Sequence, residues 1–479
     1  MTGPVALRGD LARTVPVVVG GGIAGLVVAW ELARAGRPPL LLESGPTVGG
    51  CIAAHLVGGL ELDAGAESYA TATTSVADLI DDLGLGDAIV SPNPVGAWVR
   101  YAGGSAPLPT AALLGIPAHP LAADVRRVLG LGGSLRAGLD RLLPAGSGAH
   151  SASLGALVGS RMGRRVVDRL VEPVAGGVYS TDPDELDVDA VQPRLRGALR
   201  EAGSLAGAVQ RLRGSGARPG SAVAGLRGGL YSLVVTLREQ VEALGGTVLT
   251  GVDVAGVRPR EDGWQVTTSV GDRLADTVVL AVPGPAAVSL LDSAGIPAPA
   301  TSAATSDVLL VTLVVDHAGL DRHPRGTGIL VSRHARGVSA KALTHATAKW
   351  AWLAERAGPS RHVLRLSYGR GTTVAEEAHP LDERDLTTLA LADAGTLTGV
   401  RLDHSALADS ALVRWSSALP RPEPGHRAEM DRLRTQVAAR PGLHLAGSVV
   451  AGTGLAAVVS DARTVGRAVL SSGQGAQSR

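Results

Sequence analysis

The sequence is unusual for its shortage of aromatic side chains. It has 479 residues but no phenylalanine, five tyrosines and six tryptophans. Its core must therefore be filled with leucine, valine and alanine. If the protein binds a large flat ligand, aliphatic side chains must supply much of the surface that sandwiches it.

Cysteine, net charge and long apolar runs are also scarce, and each absence excludes a class of protein. The single cysteine, Cys51, excludes an internal disulfide and a cysteine metal cluster, and it indicates a reducing, cytoplasmic context. A formal net charge of +1 gives no global attraction for nucleic acid. The longest apolar stretch, 15–30, is too short for a membrane span. No apolar segment precedes it, so we expect no signal peptide.

Glycine, in contrast, is abundant, and one group of glycines has the spacing of a phosphate-binding turn. Gly20, Gly22 and Gly25 form the pattern G-x-G-x-x-G. With 64 glycines in the chain, about one such pattern is expected by chance, so the pattern alone proves little. In such a turn the first glycine permits a tight bend, the second lets the backbone approach a pyrophosphate, and the third lets a helix pack on a strand.

The residues around these glycines make the case for a dinucleotide site. An apolar run, Val17–Val19, predicts a buried strand before the turn, and Ile23–Ala35 predicts a helix after it, ended by Gly36. Leu40–Leu42 predicts a second strand, followed by Glu43, which is placed to accept hydrogen bonds from a ribose. The order of strand, turn, helix, strand and acid disfavours the alternative, a glycine-rich hydrophobic N-terminus without a ligand.

The length of the chain predicts two or three domains. Segments 17–67, 247–282 and 443–470 contain strand patterns that we expect to return to one sheet. The dinucleotide-binding domain is then discontinuous, and the remainder of the chain is inserted into it.

Three local predictions concern the segments outside this sheet. Leu154–Val171 reads as one amphipathic helix, and Gly214–Gly220 reads as a loop. The polar residues from Ser471 onward are expected to form a disordered tail.

Five further segments carry a family resemblance. Together with the glycine turn, they resemble the flavin oxidase superfamily of amine oxidases, phytoene desaturases and protoporphyrinogen oxidases. The first and third narrow the resemblance to the protoporphyrinogen/coproporphyrinogen III oxidase family, in its soluble high-GC Gram-positive bacterial branch. The segments are RLVEPVAGGVYSTDPDELDV (169–188), GLRGGLYSLVVTL (225–237), KALTHATAKWAWLA (341–354), VRWSSALPRPEPGHRAEM (413–430) and PGLHLAGSVVAGTGLAAVV (441–459).

The resemblance implies a fold of the α/β class, with a Rossmann-like FAD-binding domain, an inserted α+β substrate domain and a helical subdomain. The implied boundaries are 1–94, 221–285 and 431–479 for the FAD-binding domain and the tail, 95–220 for a helical subdomain facing substrate or membrane, and 286–430 for the substrate-binding domain.

The resemblance also implies a reaction. FAD and dioxygen would oxidise coproporphyrinogen III to coproporphyrin III in haem biosynthesis, in three two-electron steps that each yield hydrogen peroxide. Three alternatives stay open: a protoporphyrinogen IX oxidase, another amine oxidase- or desaturase-like flavoenzyme, and a divergent flavoprotein without catalysis. The implied setting is cytoplasmic, with peripheral contact at the inner membrane face and hand-over of product to a ferrochelatase. The basic run Arg161–Arg169 is one candidate for the membrane contact, and a solvated helix face is its alternative.

The family motifs carry over to individual residues of the FAD site. Trp415 is expected near the flavin ring or, alternatively, as an ordinary core tryptophan. The other implied contacts are Gly20, Gly21, Gly22, Ile23, Ala24 and Gly25 at the pyrophosphate, Glu43 at the ribose, Ser44, Gly49 and Gly50 along the adenosine and ribityl path, Gly65, Ala66, Glu67 and Ser68 beside the isoalloxazine, Val254 at the adenine, and Gly447, Ser448, Gly454, Leu455 and Ala456 over the ribityl and pyrimidine.

Fewer residues are predicted for substrate binding and catalysis than for FAD binding. The four propionates of coproporphyrinogen need cations, and the candidates are Arg100, Lys341, Lys349 and Arg414, each with a solvated or structural charge as the alternative. The flavin carries the redox chemistry, so no catalytic side chain is assigned. His345 and His426 are read as structural histidines.

Overall fold

The structure, a computed structural model, describes residues 15–148, 150–213, 223–369 and 382–476. Its strands in chain order are β1 (Val17–Val19), β2 (Leu40–Glu43), β3 (Ala54–Val57), β4 (Leu60–Asp63), β5 (Tyr69–Ala70), β6 (Ile89–Val90), β7 (Trp98–Tyr101), β8 (Gly104–Pro107), β9 (Ala112–Leu113), β10 (Ile116–Pro117), β11 (Val223–Leu226), β12 (Thr247–Thr250), β13 (Val254–Arg260), β14 (Gly263–Thr268), β15 (Arg273–Ala275), β16 (Val278–Leu280), β17 (Thr305–Asp316), β18 (Gly328–Val331), β19 (Ala342–His345), β20 (Arg361–Tyr368), β21 (Leu407–Pro420) and β22 (Leu443–Leu445).

The helices alternate with these strands. They are α1 (Ile23–Arg34), α2 (Ser75–Asp82), α3 (Ala123–Gly138), α4 (Leu154–Met162), α5 (Arg164–Val166), α6 (Glu172–Tyr179), α7 (Val188–Val191), α8 (Leu195–Ala202), α9 (Leu205–Arg213), α10 (Ser232–Ala243), α11 (Gly284–Ser293), α12 (Ala346–Lys349), α13 (Ala351–Ala357), α14 (Glu383–Thr398), α15 (His426–Ala438), α16 (Ser448–Ala451) and α17 (Leu455–Ala476).

A five-stranded parallel sheet, in the order β12-β2-β1-β16-β22, forms the centre of the molecule. β1 and β16 contain only valine and leucine and are buried throughout, as expected for interior parallel strands covered on both faces. Helix α1 packs against α10 and α17 on one side of the sheet. The sheet unites segments 17–67, 247–282 and 443–470, so this prediction and the α/β fold class are confirmed.

A second, seven-stranded sheet has the order β21-β17-β20-β19-β18-β7-β8. One face, which we call the α14 face, carries alternate apolar residues such as Leu309, Val311 and Leu366, and α14 covers it. The opposite face carries Val314 and Val363, which pack against the β3–β4 hairpin of the FAD-binding half. Because side chains alternate along a strand, the register assigns every residue of this sheet to one of these two faces.

Helices α3 to α9 build a separate cluster with its own aliphatic core. The predicted single helix Leu154–Val171 is wrong, because α4 ends at Met162 and Gly163 takes a φ of +89°. A left-handed backbone conformation of this kind ends an α-helix and is readily adopted only by glycine. The chain then re-enters the helical region through α5 and a π-helical turn at Val167–Val171.

Arg161 does not belong to a solvated face or a membrane-binding surface, whereas Arg164 and Arg165 of the same run are exposed. The Arg161 side chain is fully buried, and its Nε donates to Asp140 Oδ1 at 2.6 Å. Asp140 also accepts hydrogen bonds from the backbone amides of Leu205 and Ala206 at the start of α9. Arg161 further donates to the carbonyls of Pro144 and several neighbouring residues. The pair is a structural centre of the helical cluster.

The C-terminal prediction also needs correction. Residues 471–476 continue α17 and are not a disordered tail. The predicted loop Gly214–Gly220 lies outside the described residues. Among the residues that the structure describes, no helix is long and apolar enough to cross a membrane.

We predict that Arg161→Met destabilises the protein by about 3–5 kcal/mol, because it leaves the buried Asp140 carboxylate without its cation. The measurement is urea unfolding, with a lower midpoint for the variant. Arg165→Met removes an exposed arginine of the same run and should change stability by less than about 0.5 kcal/mol. Equal effects of the two substitutions would contradict the structural role of Arg161.

Candidate functional site: an FAD cradle beside the second sheet

In the glycine turn between β1 and α1, one glycine has free space where a side chain would be, and two are tightly packed against backbone atoms. A Cβ atom added at Gly25 would lie 1.9 Å from the Gly20 carbonyl oxygen, and one added at Gly20 would lie 2.5 Å from the Ala281 carbonyl oxygen. A Cβ added at Gly22 would meet nothing within 4 Å. The turn is therefore close-packed on its protein side and open at the N-terminus of α1, where a pyrophosphate is stabilised.

Glu43 stands at the end of β2, next to this turn. Its Oε2 accepts a hydrogen bond from the Gly21 amide at 2.7 Å, and its Oε1 accepts one from the Gly45 amide at 2.7 Å. Ser44 follows it, and the Val252 amide donates to the Glu43 carbonyl at 2.9 Å. This places β13, with Val254 as its first residue, beside the acid. A carboxylate accepts up to about four hydrogen bonds, so Glu43 retains capacity for a ribose.

The second glycine pair packs directly on the first turn. The Gly49 amide donates to the Gly21 carbonyl at 2.8 Å, and the Gly50 Cβ position lies 3.5 Å from Gly22 Cα. Two residues further, the Cys51 carbonyl accepts the Ala66 amide at 2.9 Å. These backbone bonds join three predicted segments, 20–25, 49–50 and 65–68, into one continuous surface.

The closing motif covers the start of α1 from the C-terminal end of the chain. Gly447 has a φ of +95°, and its Cβ position lies 3.1 Å from the Ala24 side chain. The Gly447 amide donates to Asp461 Oδ2 at 2.9 Å, and Asp461 in turn accepts from Arg434 at 2.6 Å. Asp461 thus holds the motif that contains Ser448, Gly454, Leu455 and Ala456. The sequence around Asp461 does not distinguish it from a surface acid, because its partners Gly447 and Arg434 are 14 and 27 residues away in the chain.

Glu67 occupies a buried charged cluster that links the FAD-binding half to the second sheet. Its carboxylate accepts Lys349 Nζ at 2.8 Å and Arg365 at 2.8 Å. Burial acts to raise the pKa of Glu67, but the charges and hydrogen bonds of Lys349 and Arg365 outweigh it and hold that pKa at about 2. Arg365 is not among the site residues predicted from the sequence. The available signal was an arginine between the buried Leu364 and Leu366, because a buried arginine requires a partner.

The structure does not bring the four predicted substrate cations together. Lys349 is bound to Glu67, and Lys341, only 2% exposed, donates to the Ser180 hydroxyl. The register sets Arg100 opposite Val331 and Arg414 opposite Leu309, which places both arginines on the α14 face. That face is the one turned away from segment 65–68.

The opposite face of the second sheet meets the predicted flavin segment, and we call it the flavin-side face. Arg365 donates to the Gly65 carbonyl at 2.5 Å, and Trp415 Nε1 donates to the Ala64 carbonyl at 3.1 Å. Trp415 therefore has a structural partner beside the predicted flavin path. The same face carries the hydroxyl residues Thr312, Thr344 and Ser367 next to Arg365. It also carries five half-buried aliphatic residues, which are Val308, Leu310, Leu330, Ala342 and Val413.

The two singled-out histidines are buried. His345 Nε2 lies 3.1 Å from His362 Nδ1, and His362 Nε2 lies 3.0 Å from Asp321 Oδ1. Burial, followed by the neighbouring His362 and His323, lowers the pKa of His345 to about 3, so the ring is neutral in the folded protein. His426 begins α15, and burial lowers its pKa as well. The burial of His345 and His426 fits the prediction that both are structural histidines.

Comparison with known proteins identifies the family. The model of the flavin containing amine oxidoreductases matches residues 23–470. The chain belongs to this family. It is 31% identical to the coproporphyrinogen III oxidase of Mycobacterium tuberculosis (strain H37Rv) over 479 aligned residues, 95% of this chain and 96% of the relative. It is 27% identical to the coproporphyrinogen III oxidase of Bacillus subtilis, covering 94% of this chain and 97% of the relative.

Solved structures agree with this family assignment. A candidate protoporphyrinogen oxidase from Exiguobacterium sp. 255-15 superposes with a TM-score of 0.80 at 28% identity, covering 96% of this chain and 99% of the other. Cyclohexylamine oxidase from Brevibacterium oxydans, at 14% identity and a TM-score of 0.67, shares the fold. The family member described here is therefore an FAD-dependent oxidase, in the group that contains the porphyrinogen oxidases.

The cradle fits FAD. The open space at Gly22 suits a pyrophosphate, and Glu43, Gly49, Gly65 and Gly447 lie on segments that are joined to this turn directly or through Cys51. These residues would hold the cofactor, which supplies the redox chemistry when bound.

We predict that Gly22→Val folds but does not bind FAD, because a Cβ at this position meets no protein atom within 4 Å and the valine side chain fills the space for the pyrophosphate. The readouts are flavin absorbance after reconstitution and thermal unfolding of the apoprotein. Gly25→Ala should instead lower stability, since its Cβ collides with the Gly20 carbonyl.

Gly197→Val is the matched control, because Gly197 also faces open space but lies on α8. It should retain FAD. Stoichiometric FAD in Gly22→Val would refute the assignment of the pyrophosphate site.

Proposed function

We propose that the protein oxidises coproporphyrinogen III to coproporphyrin III with FAD and dioxygen. The observation that carries the proposal is similarity over almost the whole chain to proteins named coproporphyrinogen III oxidase, at 27–31% identity. The reaction removes six electrons and six protons in three two-electron steps. Each step returns its electrons to dioxygen and yields one hydrogen peroxide.

The flavin-side face supports a flat macrocyclic substrate. Leu310, Ala342 and Val413 are half-buried near the anchors Arg365 and Trp415, so with Ser367 between them they form a largely aliphatic wall opposite segment 65–68. In a chain without phenylalanine, such a wall takes the place of an aromatic sandwich. The wall would orient the macrocycle against the flavin and exclude water from the contact between them.

Protoporphyrinogen IX is a second candidate substrate, and the cation placement favours it. Protoporphyrinogen carries two propionates in place of four. Lys341 and Lys349 have protein partners, and Arg100 and Arg414 lie on the far face of the sheet. A site with few converging cations suits the less charged macrocycle.

We predict that the purified, yellow protein converts coproporphyrinogen III to a fluorescent porphyrin in air, with about one hydrogen peroxide per two electrons. The measurement is porphyrin fluorescence together with peroxide yield, and kcat/KM is compared on the two porphyrinogens. A higher kcat/KM on protoporphyrinogen would establish the second candidate. A yellow protein that gives no fluorescence on either substrate would refute both.

We also propose a peripheral membrane contact, through a surface other than the predicted basic run. Four leucines repeat along one side of the end of α3 and the turn that follows it, and three exposed arginines flank them. Exposed leucines with arginines and few acids are typical of a helix that lies on an anionic bilayer. The leucine ridge consists of Leu131, Leu135, Leu139 and Leu142, exposed by 64%, 54%, 48% and 79%, with Arg126, Arg127 and Arg141. Transfer of the product to a ferrochelatase stays a prediction.

We predict that the protein floats with vesicles containing phosphatidylglycerol and less with pure phosphatidylcholine vesicles. Replacing both Leu135 and Leu142 with glutamine should abolish flotation, because it removes the apolar area that inserts. Leu274→Gln, at a leucine that is 53% exposed on β15, is the control and should float normally. Equal flotation of the wild type, the double variant and Leu274→Gln would contradict the proposed role of the leucine ridge in membrane binding.

A further inference from the structure

The long strand β21 packs against the β3–β4 hairpin, which leads into segment 65–68. Two side chains of β21 bind the backbone of this hairpin at its opposite ends. Asp409 accepts the Gly58 amide at 2.6 Å at the hairpin turn, and Trp415 Nε1 donates to the Ala64 carbonyl at 3.1 Å just after β4. The two contacts are equally spaced along the hairpin and along β21, so β21 fixes the position of the hairpin on the second sheet.

Trp415 lies on the same strand and the same face as part of the aliphatic wall. Side chains alternate along a strand, so Trp415 and Val413, two residues before it, both belong to the flavin-side face. Val413 lies opposite Leu310 of β17, which continues the wall on the neighbouring strand. One strand therefore carries both a wall residue and the side chain that holds the Ala64 carbonyl.

The backbone around this carbonyl is also held by the FAD cradle. The Ala64 amide donates to the Ala53 carbonyl at 2.7 Å. A Cβ at Gly65 would lie 2.0 Å from the Cys51 carbonyl oxygen, so the chain is tightly packed there. The cradle supplies these contacts, and Trp415 adds one from the second sheet. The course of the chain into segment 65–68 thus depends on both halves of the molecule.

Arg365 is a second anchor from the same sheet, but its charge complicates any test. It donates to the Gly65 carbonyl at 2.5 Å and to Glu67 at 2.8 Å, and its charge also acts on the buried Asp63 carboxylate. Removing Arg365 would leave buried carboxylates without a cation. The Trp415 hydrogen bond can be removed without any change of charge, so Trp415 is the anchor whose role can be isolated.

We propose that Trp415 is a positioning residue for the FAD-dependent reaction. Its indole N–H holds the Ala64 carbonyl and thereby sets the angle between segment 65–68, which the family motif assigns to the isoalloxazine, and the aliphatic wall. The proposal rests on the FAD site and the proposed function argued above. The rate of a reaction between a bound cofactor and its substrate depends steeply on their distance and angle, and a small misplacement is costly.

The substitution Trp415→Phe tests the proposal, because it keeps an aromatic ring and removes the N–H donor. The glycine turn is unchanged, so the variant should still bind FAD. Its visible circular dichroism, which reports the surroundings of the flavin ring, should differ from that of the wild type. On the porphyrinogen that the wild type oxidises, kcat should fall about tenfold or more, while KM should change less than about twofold.

Trp264→Phe is the matched control. Trp264 Nε1 donates to the Pro441 carbonyl at 3.0 Å, so this variant also loses one hydrogen bond from an indole to a backbone carbonyl. Trp264 lies on β14, which does not belong to the second sheet. Both variants should lower the thermal midpoint, because each leaves a carbonyl without its donor. Only Trp415→Phe should change the flavin circular dichroism and kcat.

Two other roles of Trp415 give different results, and either result would overturn the proposal. If the ring acts by direct contact with the flavin, Trp415→Phe stays close to wild type and Trp415→Leu does not. If the role is purely structural, the flavin signal changes equally in Trp415→Phe and Trp264→Phe, or in neither. Should Trp415→Phe fail to fold, the isosteric tryptophan analogue in which sulfur replaces the indole N–H makes the same comparison at position 415.

The two kinds of measurement separate this proposal from the proposed function. Circular dichroism is recorded on the FAD-loaded protein without porphyrinogen, so it tests the positioning role even if neither porphyrinogen is oxidised. An unchanged flavin signal in a Trp415→Phe protein that oxidises its substrate at the wild-type rate refutes the role of Trp415 alone. A changed signal, in a protein whose wild type oxidises neither porphyrinogen, refutes the proposed function alone.

Discussion

The contact between Gly25 and the Gly20 carbonyl is the constraint on which the cofactor site depends. Only a missing side chain lets α1 approach β1 so closely, since a Cβ at Gly25 would lie 1.9 Å from that oxygen. The same close packing aims the first amides of α1 at the open space beside Gly22. Glu43, the second glycine pair and the closing motif are then built onto this turn through backbone hydrogen bonds. Backbone contacts of this kind tolerate wide changes in side chains, which suits a chain of such unusual composition.

The interior is divided into several clusters, and it is built without phenylalanine. Within the residues that the structure describes, the aliphatic side chains form separate clusters, around the central sheet, in the helical region and on each face of the second sheet. Leucine and valine fill a narrow layer between a helix and a sheet well, because their short side chains match its thickness. Trp30, Trp264 and Trp350 lie inside these clusters, whereas Trp415 connects β21 to Ala64.

The sequence predicted the elements that local patterns specify. β1 and β2 follow from short apolar runs, and the turn follows from glycines whose backbone role is local. Contacts between distant residues could not be predicted. Glu67 and Lys349 are 282 positions apart, and only the fold brings them together. Arg100 and Arg414 looked suitable for a substrate until strand register assigned them to the α14 face. Arg161 resembled a surface residue because its acid, Asp140, lies in another segment.

The discontinuous central sheet also has a consequence for biosynthesis. Its edge strand β22 and the helix α17 that follows lie in the last part of the chain, yet they cover the start of α1 near the other terminus. A chain still on the ribosome has the glycine turn but lacks the segment that closes over it. The complete cradle therefore forms only after the closing motif around Gly447 has been synthesised and has packed on the start of α1.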